Sequence, residues 1–321
     1  MKRVIISFLT CIDIAIVIFF IVLLKTSLPM EIMARIYPYP SLPMPKTAVK
    51  MMLVPVSSAP AVNATAAYLL DTNSMHILFA KDANAQLPMA STSKIMTAII
   101  ALEKTKPSSL VTVKEDAITE VQANGGSSAD LVAGDIIPMD DLLYGLLLPS
   151  GDDAAIAIAD SISGSPTNFA VLMNQYAKKL GLTHTHYINP DGLTYQLSNG
   201  KLSYNYTSAA DLADLMQYAM RNPAFAEIVN RQVFTLSAGN GHHAYTWNTT
   251  DDLLAEYPGA TGGKTGFTSE AGYCLVFTAE RNGHHLIGVL LNDSTTDISE
   301  RFLEAEKLLN WGFSLPEKSI F

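Results

Sequence analysis

Ser91-Thr92-Ser93-Lys94 stands directly before an apolar, helix-patterned run from Ile95 to Leu102. A serine and a lysine three apart lie on one face of a helix, about one turn from each other. With the serine in the first turn, the helix's unsatisfied amides favour the alkoxide that develops during attack. The lysine serves as general base if its surroundings keep it neutral often enough. The spacing alone is common in protein chains, so specificity has to come from residues further along.

Two more clusters occur in order. Ser150-Gly151-Asp152 sits where an apolar helical segment, Leu142 to Leu148, meets a turn at Pro149-Ser150-Gly151. Lys264-Thr265-Gly266 comes after Gly262-Gly263 and precedes a strand-like run, Gly272-Tyr273-Cys274-Leu275-Val276-Phe277. Ser-x-x-Lys, then Ser-x-Asn or similar, then Lys-Thr-Gly marks the penicillin-binding proteins and serine β-lactamases. The flanking residues, from Leu87 to Thr97, Asp141 to Gly151 and Lys264 to Thr268, narrow this further. The chain resembles the D-alanyl-D-alanine carboxypeptidases among the low-molecular-mass penicillin-binding proteins. The likeness runs from about Val62 to about Gly312.

The resemblance implies roles for particular residues. Ser91 attacks the carbonyl of the penultimate D-alanine of a peptidoglycan stem, and water hydrolyses the resulting ester. Lys94 takes the Ser91 proton, and Ser150 relays a proton to the leaving amine. Lys264 and Thr265 hold the substrate's terminal carboxylate. Gly266 completes that motif, and the backbone amides of Ser91 and Phe267 form the oxyanion hole. Phe267 stands where many relatives have histidine, a change that a main-chain contribution tolerates. β-Lactams are expected to acylate the same serine. No metal or organic cofactor is implied.

Asp152 departs from the family pattern, which has asparagine there. An amide both donates and accepts, whereas an ionised carboxylate only accepts. Beside Lys94 it is expected to favour the ammonium over the free amine. Either the second cation, Lys264, offsets this, or the activity is slowed or shifted in pH.

Around these clusters the pattern predicts the elements that hold them. Ala66 to Leu70 and His76 to Ala80 read as strands flanking a turn at Asp71-Thr72-Asn73-Ser74. From Asp141 to Ile228 the chain reads mainly helical, with helical spacing at Asp141 to Leu147, Phe169 to Leu180 and Ser208 to Met220. Strands return at Cys274 to Ala279 and Leu286 to Leu291, joined through Arg281-Asn282-Gly283, and a closing helix covers Thr296 to Leu309. Strands at both ends enclosing helices fit an α/β (α+β) fold: one antiparallel sheet flanked by helices, with an inserted helical subdomain. The resemblance implies the same β-lactamase/penicillin-binding-protein transpeptidase-like fold for residues 62–316, with 317–321 a tail. Many relatives add a second β-rich domain and a carboxy-terminal amphipathic helix; neither is expected here.

The amino terminus has another character. Met1-Lys2-Arg3 precedes 21 mostly apolar residues, Val4 to Leu24, broken by Ser7, Thr10 and Asp13. At about 1.5 Å per residue such a helix spans roughly 30 Å, one bilayer core. The basic start favours a cytoplasmic amino end. Residues 1–25 therefore read as a membrane anchor with the remainder outside, a cleaved signal being the alternative. Residues 26–61 form a linker, with Pro38, Pro40, Pro43, Pro45, Pro55 and Pro60 making it extended and semi-rigid.

A formal net charge of −9 argues against nucleic-acid binding. Cys11 lies in the apolar segment and Cys274 in a strand, so the two are not expected to pair, and Cys274 reads as a core residue. His184 and His186, His242-His243 and His284-His285 read as surface turns, since no neighbouring ligand spacing completes a metal site. Trp247-Asn248-Thr249-Thr250 resembles a family segment near the site and takes no assigned role. The rival enzyme reading, a β-lactamase, needs Glu-x-x-Leu-Asn between the second and third motifs. The match at Glu306 to Asn310 comes after Lys264, in the wrong place. A D,D-endopeptidase that cleaves cross-bridges and a weakened penicillin- or wall-binding protein stay open beside the carboxypeptidase.

Overall fold

The computed structural model describes residues 51–52, 59–239 and 241–315; the expected anchor, most of the linker and the tail lie outside these residues. Six strands form the main sheet. They are β1 (Met51–Met52), β2 (Ala66–Asp71), β3 (His76–Lys81), β4 (Ala260–Thr268), β5 (Gly272–Arg281) and β6 (His284–Leu291), in the order β1-β3-β2-β6-β5-β4. All neighbours pair antiparallel except β1, which runs parallel to β3. The turn between β2 and β3 is closed by Asp71, whose carboxylate accepts the Asn73 amide at 2.8 Å. Asn282 and Gly283 take the positive φ that the β5–β6 hairpin requires.

The strands read as nearly continuous apolar runs because both faces of the sheet are buried. Tyr68, Leu70, Val276, Ile287 and Val289 face the inserted helices. Their neighbours Leu69, Leu275, Phe277, Leu286 and Leu290 face the closing helix, against Phe302, Leu308 and Leu309. The period of two thus divides one sheet between two cores.

The described residues also form nine helices: α1 (Lys94–Lys104), α2 (Glu115–Asn124), α3 (Met139–Leu147), α4 (Asp152–Ser163), α5 (Pro166–Leu180), α6 (Ala209–Met220), α7 (Pro223–Val229), α8 (Leu253–Glu256) and α9 (Glu300–Ser314). α1 is buried from Lys94 to Leu102. It therefore needs an apolar surround rather than a polar outer face. Serine caps set two helix starts, that of α5 at Pro166, three residues before the expected Phe169, and that of α6 at Ala209. Ser165 accepts the Asn168 amide ahead of Pro166, and Ser208 accepts the Asp211 amide.

Two expectations shift. The closing helix begins at Glu300 rather than near Thr296, because Ser294 and Asp297 turn their side chains onto local amides and hold 294–299 as a loop. Ser91 is not in the first turn of α1. It lies in a separate 3₁₀ turn, Ala90–Ser93, entered through Ala90 at φ +48°. The Thr92 and Ser93 hydroxyls bond back to the carbonyls of Met89 and Ala90 and tighten that turn.

Candidate active site

The chain brings the three motifs together at one end of α1 and the edge of the sheet. Lys94 is fully buried, and its Nζ donates to Ser91 Oγ at 2.8 Å, Asp152 Oδ1 at 2.5 Å and the Asp191 carbonyl at 2.9 Å. An ammonium has three protons to give, and these are three acceptors. Ser91 itself is half-buried, so the nucleophile position stays reachable.

Ser150 and Asp152 are set by the passage from α3 to α4. Ser150 adopts φ +66°, a region that costs a non-glycine residue energy and is favoured at functional turns. The Gly151 amide returns to the Gly145 carbonyl, and the Asp152 amide to Ser127. Asp153 anchors the facing loop by accepting from the amides of Ala129 and Leu131 and from Ser128 Oγ. Asp152, one residue earlier, is left to face Lys94, and its Oδ2 has no hydrogen-bond partner. Burial pushes its carboxyl above the usual range, while Lys94 pulls against that rise.

Lys264 reaches from β4 into the same space. Its Nζ donates to Ser150 Oγ at 2.9 Å and to the Thr265 carbonyl at 3.0 Å. Complete burial holds its ammonium well below the ordinary lysine value, and Lys94 adds repulsion. β4 ends the sheet on this side and lies against the 3₁₀ turn. The approach is close: a Cβ on Gly266 would stand 3.1 Å from the Ser91 amide nitrogen and from the Met89 carbonyl oxygen. Phe267 comes next, with its ring about half exposed and 4.4 Å from that of Tyr273.

Four residues not expected from the motifs also belong here. Asp191 is buried, and its carboxyl is pushed up to about 7 by burial and by the Asp152 charge. Its loop meets the nucleophile turn through Gly192, at φ +97°, where any Cβ would fall 2.0 Å from the Ala90 carbonyl oxygen. Asn189-Pro190-Asp191-Gly192 is a legible turn sequence, though nothing in it announces a contact with Lys94. Asp251 is buried close to Lys264 and Arg301, and burial raises its carboxyl to about 7. Thr250 Oγ1 lies 2.5 Å from Thr265 Oγ1. Arg301, from α9, donates to the Gly266 carbonyl at 3.3 Å from the buried side. In a trans peptide the N–H points opposite to the C=O, so this bond aims the Phe267 amide away from α9.

The remaining residues singled out in the sequence lie elsewhere. His243 Nδ1 is 2.9 Å from Asp135, His184 Nδ1 is 3.8 Å from Asp211, and His285 Nδ1 is 3.6 Å from Glu280. Cys274 is buried, with its thiol pushed up to about 11. Asn310, which ends the misplaced glutamate motif, accepts from the Tyr257 hydroxyl.

A serine bonded to a buried lysine three residues on, a second serine bonded to another buried lysine and an edge strand beside them define a serine acyl-transfer enzyme of the penicillin-binding, β-lactamase-like fold. Known proteins narrow the class. A sequence model for D-alanyl-D-alanine carboxypeptidases matches residues 54–295. The D-alanyl-D-alanine carboxypeptidase of Streptomyces sp. strain K15 is 37% identical over 268 residues, covering 80% of this chain and 89% of that protein. A D-alanyl-D-alanine carboxypeptidase of Mycobacterium tuberculosis is 34% identical, covering 83% and 87%. The crystal structure of the Streptomyces K15 DD-transpeptidase superposes with a TM-score of 0.73 at 36% identity, over 80% of this chain and all of that one. The chain belongs to the D-alanyl-D-alanine carboxypeptidase family.

Proposed function

We propose that this protein is a serine D-alanyl-D-alanine carboxypeptidase acting on peptidoglycan stem peptides, and that β-lactams acylate it at the same residue. The observation that carries the reading is Lys94 Nζ, buried and held against both Ser91 Oγ and Asp152 Oδ1. Membership of the family supports the substrate class.

Each residue takes a distinct part of the chemistry. Loss of a proton from Lys94 Nζ leaves a neutral amine facing Ser91, with the Asp152 carboxylate beside it. That amine takes the Ser91 proton as Oγ attacks the carbonyl carbon. The amides of Ser91 and Phe267 receive the charge that builds on the carbonyl oxygen. Ser150, bonded to Lys264, relays the proton taken up by Lys94 to the departing D-alanine nitrogen as the peptide bond breaks, and so keeps its own hydroxyl. A carboxylate beside Lys264 and Thr265 supplies the counter-charge that burial of Lys264 favours. Water then cleaves the ester and restores the Ser91 hydroxyl.

The apolar run 4–24 supports placement outside the cell on an amino-terminal anchor. Among the described residues, no helix is long and apolar enough to cross a membrane.

Release of D-alanine from a pentapeptide ending in D-Ala-D-Ala tests the proposal. The wild-type protein is expected to release it, and Ser91→Ala to fall by at least about a thousandfold. Release that survives in Ser91→Ala would refute the assignment.

A further inference from the structure

The segment 247–250 takes no part in the chemistry above, yet its last hydroxyl touches the third motif. Thr265 is buried, whereas Thr250 is exposed beside it, and their hydroxyl oxygens are 2.5 Å apart. Two hydroxyls at that separation share one hydrogen bond, in which one donates and the other accepts. The acceptor keeps its own proton for a third group. When that group is an anion beyond Thr265, the favourable order runs from Thr250 to Thr265 to the anion, and each bond strengthens the next.

The backbone holds Thr250 in place from both sides. Its amide donates to the Leu148 carbonyl at 3.1 Å, on the loop that leads into Ser150. The preceding amide, of Thr249, donates to the Gln232 carbonyl at 2.8 Å. The next amide, of Asp251, donates to Thr249 Oγ1, and the Asp251 side chain is buried. The Thr250 hydroxyl is therefore presented from a fixed turn. It also links the loop of the second motif to the strand of the third.

We propose that Thr250 is a positioning residue for carboxylate recognition: its hydroxyl donates to Thr265 Oγ1 and turns the Thr265 proton toward the substrate's terminal carboxylate. This rests on the placement of that carboxylate at Lys264 and Thr265. Thr250→Val keeps the shape and the backbone bonds but removes the donor, and Thr250→Ser returns it.

Steady-state kinetics on the full-length protein test the proposal, using one peptide ending in D-Ala-D-Ala and its terminal carboxamide. Thr250→Val is expected to raise KM for the carboxylate peptide by about 3–10-fold, the range of one hydrogen bond to a charged partner, with kcat changed by less than about twofold. Thr250→Ser is expected to restore KM, and the carboxamide to show no penalty. An equal penalty on both peptides, no penalty on either, or no rescue by serine would each overturn the proposal. Acylation rates with penicillin and with its methyl ester provide the same comparison. Loss of D-alanine release in the wild type would therefore count against the carboxypeptidase reading without obscuring the result for Thr250.

Discussion

Lys94 and Asp152 form a buried ion pair at the point where a general base is needed. A carboxylate there holds the proton on the pair more strongly than an amide would, and a second carboxyl, Asp191, lies close enough to be raised by it. With the Asp152 charge removed, the lysine ammonium loses its proton more readily, so the acidic limb of the acylation profile moves to lower pH. Asp152→Asn is expected to shift that limb down by about one pH unit, measured by penicillin acylation across the neutral range. An unchanged limb, or one moved upward, would show that Asp152 does not control the base.

At the scale of elements, the site depends on three backbones meeting within van der Waals distance: the 3₁₀ turn 90–93, the loop 189–193 and β4. None of these contacts is written in a hydrophobic pattern. The 189–193 loop delivers its carbonyls, Asp191 to Lys94 Nζ and Pro190 to Thr97 Oγ1 at 2.6 Å, only because Gly192 permits the approach to Ala90. Gly192→Ala combines a disfavoured φ with a backbone clash. It is expected to destabilise the fold by more than about 1 kcal/mol and to slow acylation at least about tenfold by displacing Lys94. Thermal unfolding and acylation rates measured side by side check both effects. Wild-type behaviour in both would mean that the loop does not position the lysine.

Across the whole molecule, the parts legible in the sequence are those fixed by local chemistry. The motif serines and lysines, the β2–β3 and β5–β6 turns and the serine-capped helices α5 and α6 all carry short-range signals. The parts that stayed hidden depend on tertiary approach. Arg301 is an ordinary helix residue until α9 packs on β5 and β6 and brings its guanidinium to the Gly266 carbonyl, and Asp251 and Asp191 are ordinary turn acids until the fold encloses them. Ser91 reads as an α-helical first turn because its spacing to Lys94 suits one. The positive φ at Ala90 that sets a 3₁₀ turn instead is imposed by packing against Gly192 and Gly266. Thr250 lies in a segment whose family resemblance places it near the site, but nothing in its sequence announces the contact with Thr265.

Serine acyl transfer at this site requires a covalent acyl-enzyme at Ser91, and mass spectrometry after brief exposure to penicillin addresses that most directly. Intact protein is expected to gain the mass of one penicillin, and peptide mapping to place it on Ser91, with no adduct on Ser91→Ala. An adduct on any other residue, or none on the folded wild-type protein, would contradict Ser91 as the nucleophile.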